Sequence, residues 1–177
     1  MADNNRDCER EQREQCEQKV EQQIQQYWAK IQRAASGYEC RPALCDELAQ
    51  EMALAVWRSL PGFSGQCSLN TYIYRVIHNV AVDHIRRHSR ATECEMEDDI
   101  MDDNTSLETD LIQSQRQQKL IIAVNHLPLS LRQVMLLKLE DLSNIEIGEV
   151  LGLSGSNVAV RLNRAKEQLS NLLAGTE

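Results

Sequence analysis

The sequence predicts an all-α protein of two small helical domains joined by a flexible acidic linker. Three observations predict it. Aromatic residues make up only 4% of the chain, with one Phe, too few for a sandwich or barrel built on aromatic and β-branched residues. Seven Gly and three Pro leave too little turn punctuation for many short strands. Apolar residues recur at helical steps on both sides of residues 92–112, a stretch with nine acids and no base. Such a stretch has too little apolar surface to offset the entropy of ordering.

Residues 1–26 are a charged, Gln-rich lead-in with good helix propensity but little to bury. A helix becomes amphipathic near Tyr27, Trp28 and Ile31, and Gly37 and Pro42 break it. A second helix is expected over Asp46–Leu60, with Leu48, Met52, Ala55 and Val56 on one face. Residues 61–65 are a loop by composition. Ser68 is placed to cap a third helix reaching about Arg87, whose apolar face is Leu69, Ile73, Val76, Ile77, Val80 and His84. Beyond the acidic run, a helix over Leu111–Asn125 is stopped by Pro128, and Ser130 opens the next, to about Asp141. Ser143 and Glu146 have capping-box spacing, and Gly152 suits a left-handed helix end. A last helix carries Val158, Leu162, Ala165, Leu169 and Leu172 at steps of 4, 3, 4 and 3, one continuous stripe.

Composition narrows the function. No window approaches the run of about 18 apolar residues a membrane helix needs, and the first 30 residues lack a signal-type apolar stretch. A soluble, cytoplasmic protein is expected, its six Cys reduced. The net charge of −8 conceals an asymmetry. Residues 69–91 hold four Arg, three His and one acid, so the acidity is concentrated away from them.

Two constellations carry chemistry. In residues 143–168, two short helices meet at a Gly-containing turn, and the second bears Arg161, Arg164 and Lys166 with no acid between Ser154 and Lys166. That is a helix-turn-helix pattern, whose second helix can enter a major groove. An ordinary helical hairpin with a solvated face competes with it. In residues 61–90, a Gly/Ser loop leads into a helix with Tyr72, Tyr74, Arg75, His78, Asn79, Asp83, Arg86 and Arg87. Interleaved aromatic and basic groups suit single-stranded nucleic acid; the plainer reading makes both Tyr core residues.

Together, the segments DELAQEMALAVWRSL, FSGQCSLNTYIYRVIHNVAVDHIRR and LPLSLRQVMLLKLEDLSNIEIGEVLGLSGSNVAVRLNRAKEQL resemble bacterial RNA polymerase sigma factors of the extracytoplasmic-function class. The resemblance spans about residues 27–90 and 111–173. It implies a lead-in (1–26), sigma domain two (27–91), a linker (92–110) and sigma domain four (111–177). It implies a non-catalytic subunit that binds core RNA polymerase and reads the −10 and −35 promoter elements. Asp46, Glu47, Gln50 and Glu51 would face the polymerase clamp, with Trp57 packed behind them. Phe63, Ser64, Gly65, Tyr72, Arg75, Asn79, Asp83, Arg86 and Arg87 would meet the −10 element, the loop to Cys67 holding a flipped base. Ser156, Asn157, Ala159, Val160, Arg161, Asn163, Arg164 and Lys166 would lie along the −35 element. Asn70, His78 and Ala159 depart from commonly basic family positions, and an exposed Ile145 from a polar one. Many relatives are held by an anti-sigma factor, which the resemblance adds as a partner.

Cys40 and Cys45, with Cys67 nearby, fall short of the four ligands of a structural zinc site, and no catalytic triad, P-loop or carboxylate pair stands out. No metal, cofactor or enzymatic activity is expected. A stand-alone helix-turn-helix regulator competes with the sigma reading but leaves DELAQE and the loop–helix unused, and a scaffold whose acidic linker binds a basic partner is weaker still. Limited proteolysis of the purified chain is expected to cut first within residues 92–110. First cuts elsewhere, with that stretch protected, would contradict the linker.

Overall fold

The structure, a computed structural model, describes residue 22 and residues 24–92 and 119–174. The expected linker (92–110), apart from Thr92 at the end of α3, and the expected lead-in (1–26), apart from residues 22 and 24–26, fall outside those residues. Among the described residues there are seven helices and no strand: α1 (residues 24–38), α2 (Pro42–Ser59), α3 (Leu69–Thr92), α4 (residues 119–125), α5 (Leu129–Leu139), α6 (Asn144–Leu151) and α7 (Gly155–Ala174).

Local chemistry sets the helix ends. Pro42 sits in the first turn of α2, where its missing N–H costs nothing, so the helix starts four residues before the expected Asp46. A 3-10 turn, Leu60–Gly62, follows. Ser68 caps α3 as anticipated, its Oγ accepting from the Thr71 N–H at 3.0 Å. Pro128, rather than Ser130, caps α5; its fixed φ places extended backbone directly before the first turn. Of the helix expected over 111–125, only the portion from 119 is described.

Two halves result. The first packs α1, α2 and α3 around Ile31, Ala35, Leu48, Met52, Val56, Ile73, Ile77 and Ala81, all nearly or fully buried. The second is built by α4–α7 on two clusters, one around Val134, Leu137, Ile147, Val158 and Leu162 and the other around Val124, Leu127, Leu131, Ala165 and Leu169. Each fully buried Leu or Ile contributes about 1.5–3 kcal/mol relative to exposure.

The sequence does not anticipate how closely the halves join. Leu129 and Leu136 of α5 pack against the first core, and Tyr74 of α3, 1% exposed, belongs to the second. Arg132 of α5 ties the ends of two helices. Its guanidinium donates to the Leu127 carbonyl (3.2 Å), to the Asn125 carbonyl, and to the Tyr38 carbonyl at the end of α1 (3.3 Å). These are carbonyls a helix end leaves without a partner.

Three buried polar side chains, Glu39, His78 and His84, brace the first half. Burial pushes the Glu39 carboxyl up, but hydrogen bonds from Arg41 and His84 prevail and hold it at about 2. Arg41 donates from its backbone N–H (3.0 Å), Nε (3.0 Å) and Nη2 (2.9 Å), and His84 Nε2 lies at 3.3 Å. His84 thus takes the core position expected of it. His78, grouped by sequence with the nucleic-acid residues of α3, is instead a core group. It is 2% exposed, its Nδ1 hydrogen-bonded to the Tyr38 hydroxyl, and burial holds it neutral, down at about 3.

A pH dependence follows with a definite sign. The unfolded chain protonates a histidine near 6.5, whereas folded His78 does so only near 3. Between those values the unfolded state binds the extra proton, so stability falls as pH falls, by up to about 1.4 kcal/mol per pH unit for one group. Glu39 adds a second loss below about 4.5, continuing to about 2. Melting temperature is expected to drop between pH 6.5 and 5, and His78→Gln to flatten that slope. An equal slope in both proteins would place the titration elsewhere.

Candidate nucleic-acid and polymerase interface

The helix-turn-helix is built from local signals. Ser143 Oγ accepts from the Glu146 N–H at 3.3 Å, and the Glu146 carboxylate accepts from the Ser143 N–H at 2.8 Å, a reciprocal cap that keeps the Glu146 carboxyl below its usual range. At the other end of α6, Gly152 is left-handed (φ 68°, ψ 37°), and the Leu153 N–H returns to the Gly148 carbonyl at 2.9 Å, the six-to-one bond of a Schellman end. Gly148 permits a close approach: a Cβ there would stand 2.5 Å from the Leu153 carbonyl oxygen. Ser154 then starts α7, its Oγ accepting from the Asn157 N–H at 3.3 Å.

Helix α7 rises about 30 Å over its 20 residues. Val158, Leu162, Ala165 and Leu169 are buried. Ser156, Asn157, Val160, Asn163, Arg164 and Lys166 are exposed, with Ala159 and Arg161 half-buried beside them. Arg161 Nε donates to Asn157 Oδ1 at 3.0 Å, which fixes its fork one turn along. This face is mostly polar, interrupted by exposed Val160, and free of acids from Ser154 to Lys166.

In the first half, Ser64 and Gly65 are exposed at the tip of the loop and Phe63 is half-buried. Gly65 has φ +76°, a conformation glycine adopts without penalty. The rings of Phe63 and Tyr72 lie 4.9 Å apart at 43°, and the Tyr72 hydroxyl donates to the Ser59 carbonyl at 3.1 Å. Loop and helix thus present one aromatic wall. Asn79 and Asp83, exposed one turn apart on α3, continue that face, and Arg86 lies 3.6 Å from Asp83. Asp46, Glu47 and Gln50 are exposed on α2.

Other side chains are engaged in ways the sequence does not reveal. Glu51 forms a two-pronged pair with Arg87, at 3.2 and 2.7 Å. This joins a residue expected to face polymerase to one expected on DNA, across an open groove lined also by Leu54, Arg58, Asp83 and Arg86. Arg75 reaches across to the second half, Nη2 donating to the Glu149 carbonyl at 2.7 Å. Tyr74 and His78, grouped by spacing with the nucleic-acid residues, are core groups because their side of α3 packs inward. Trp57, expected behind the acidic face, is instead 43% exposed, next to exposed Leu54 and Arg58. The buried side of α2 is the row of Leu48, Met52 and Val56, and Trp57 is turned off it by one residue's rotation. Ile145 is 72% exposed.

Cys40, Cys45 and Cys67 are free thiols. Burial pushes the Cys40 and Cys45 thiols up, away from thiolate chemistry. No group of three or more metal-ligating side chains occurs among the described residues, and no described helix is long and apolar enough to cross a membrane.

Two family models match this chain. Sigma-70 region 2 matches residues 23–91, and Sigma-70, region 4 matches residues 117–169, together more than half of its length. The chain belongs to the sigma-70 family of RNA polymerase sigma factors. It is of the extracytoplasmic-function class: it is similar to the ECF RNA polymerase sigma factor SigW of Bacillus subtilis (27% identity over 72% of this chain and 74% of the relative) and to the ECF RNA polymerase sigma-E factor of Haemophilus influenzae (24%, 84% of each). Among solved structures, the fold resembles the sigma factor RpoE from Bartonella quintana, crystallised with the anti-sigma factor NepR (TM-score 0.69, 17% identity, 87% of this chain and 96% of that one). It also resembles CnrH in complex with the cytosolic domain of CnrY (TM-score 0.65, 20% identity, 89% of each). As a sigma factor, the chain directs transcription initiation; α1–α3 are region 2 and α5–α7 carry the region 4 helix-turn-helix.

The turn of region 4 yields a controlled pair of substitutions. Gly148→Ala drives a Cβ against backbone and is expected to cost about 1–3 kcal/mol. Gly155→Ala meets nothing within 4 Å and is expected to be neutral or slightly stabilising. Calorimetric melts would separate them; equal melting temperatures would contradict the close approach at Gly148.

Proposed function

We propose that this sigma factor docks on core RNA polymerase through Asp46, Glu47, Gln50 and Glu51, opens the −10 element with its region 2 loop and α3, and reads the −35 element with α7. It acts in the cytoplasm as a non-catalytic specificity subunit, and an anti-sigma factor is a further partner. The observation that carries the reading is the pairing, in one chain, of an acid-free polar face on α7 with an exposed loop and aromatic wall ahead of Asn79 and Asp83.

Each element has a chemical task. Glu47 and Glu51 lie one turn apart and suit a basic partner helix. Arg87 of the Glu51–Arg87 pair is exposed and Glu51 partly so, and water and salt screen such a pair, so both groups are readily released. Flipping a base costs a few kcal/mol, and the Phe63–Tyr72 wall offers stacking worth about 1–3 kcal/mol per base. Asn79 supplies an amide for a base edge, and Arg86 and Arg87 supply charge for phosphates. On α7, Asn157, Asn163 and Arg164 suit major-groove edges and phosphates. This division of labour gives region 2 a use, which the stand-alone regulator leaves without one.

Run-off transcription with core polymerase tests the reading. The wild type is expected to initiate at discrete start sites. Asn79→Ala should lose duplex-promoter activity and recover much of it on a template pre-melted across the −10 element. Arg164→Ala should weaken promoter binding and lower its salt slope by about 1. Full activity of both variants on duplex DNA would overturn these assignments.

A further inference from the structure

We propose that a cavity lined by α1, α3, α4 and α5 is a binding site for a small neutral phenol. The cavity measures about 150 Å³, and an apolar cavity of that size takes up a single benzene ring. Leu120, Val124 and Leu136 supply apolar wall. The rings of Tyr74 and His78, with centroids 6.4 Å apart, supply aromatic wall. Leu139 also borders the cavity and is 51% exposed, which leaves a way in from solvent.

The polar groups of the site define what the ring must carry. Arg33 and Glu140 both line the cavity, but they neutralise each other, so a charged ligand would find no free counter-charge to offset its lost hydration. His78 is 2% exposed and uses one ring nitrogen: Nδ1 is hydrogen-bonded to the Tyr38 hydroxyl. Burial pushes the Tyr38 phenol up, so it keeps its proton. Among the described residues that hydroxyl meets no other acceptor. It therefore donates to Nδ1, and the neutral imidazole carries its own proton on Nε2. No described group meets Nε2, and a buried N–H without an acceptor is costly. The carboxylate of Glu140 has about four lone-pair directions. Oε1 accepts from Arg33 Nε, and Oε2 from Arg33 Nη2 and the Tyr74 hydroxyl, which leaves Oε1 one to spare. The site thus offers an apolar slot of one ring, an N–H donor and a carboxylate acceptor. A phenol answers all three: its ring fills the slot, and its oxygen can accept from one group and donate to the other.

Phenol is tested against toluene, which has the same shape and lacks the hydroxyl. Each is titrated into the full chain carrying isotope-labelled histidine, and the ring resonances are followed by nuclear magnetic resonance. Phenol is expected to bind saturably, to shift the His78 resonances, and to bind about 2- to 10-fold tighter than toluene, the gain of about one net hydrogen bond. Two variants, checked for helix content by circular dichroism, locate the site. Leu120→Phe, at a half-buried wall position, fills the slot and should abolish binding of both compounds. His78→Leu removes the donor and should bring phenol down to the affinity of toluene. Undiminished binding to folded Leu120→Phe, or a phenol preference kept in folded His78→Leu, would overturn the site. The wild type alone suffices if neither variant folds: no saturable shift up to the solubility limit of phenol, or one that spares His78, would overturn the proposal, and equal affinities for phenol and toluene would overturn the ligand class. None of these readouts depends on the promoter or polymerase assignments.

Discussion

The Glu140 carboxylate is the point on which polar groups of the first half converge from two helices, Arg33 of α1 and Tyr74 of α3. Burial works against its charge, yet hydrogen bonds from Arg33 and Tyr74 hold it ionised, below the usual carboxylate range. An unpaired carboxylate at that depth would be costly, so the two halves meet where donors from α1 and α3 converge on one acceptor. Around that point the apolar contacts of Leu136 and Tyr74 fall into register. Arg132 then finds the carbonyl end of α1 within reach of the same guanidinium that closes the end of α4.

What was legible in the sequence was local. Ser143 and Glu146 form their cap within four residues, Gly152 turns the chain by its own freedom, and the stripe of α7 is written in its spacing. Each of these is decided by neighbours along the chain, so reading residues in order finds them. Pro128 displaced Ser130 as the cap of α5 because a fixed φ outweighs a hydroxyl that has no N–H to meet there. The exposed polar residues of α7, and of Asn79 and Asp83, were equally readable, because a helix with one buried stripe must show its other face.

The residues misread are those whose neighbours lie far away in sequence. Tyr72 and Tyr74 are two positions apart on one helix, which points them about 200° apart. One ring joins Phe63 near the loop; the other crosses into the second half. Spacing alone grouped them as a pair. His78 carries the same lesson: spacing grouped it with the nucleic-acid residues of α3, but it faces Tyr38 from a helix forty residues earlier. Trp57 is the converse, a large apolar side chain that sequence logic buries and the geometry leaves at the rim beside Leu54.

Every Phe, Trp and Tyr of the chain lies at or before Tyr74. The core of region 4 therefore has no aromatic residue of its own, and the one ring in it is lent by region 2. Tyr74 is seated in the same cluster as the aliphatic side chains of Val134, Leu137 and Leu162. The second half has no aromatic chromophore of its own, so all near-ultraviolet absorption and fluorescence come from the first. The borrowed ring is the place where light can report on region 4, because the environment of Tyr74 is the only one among these chromophores that region 4 itself supplies a core for.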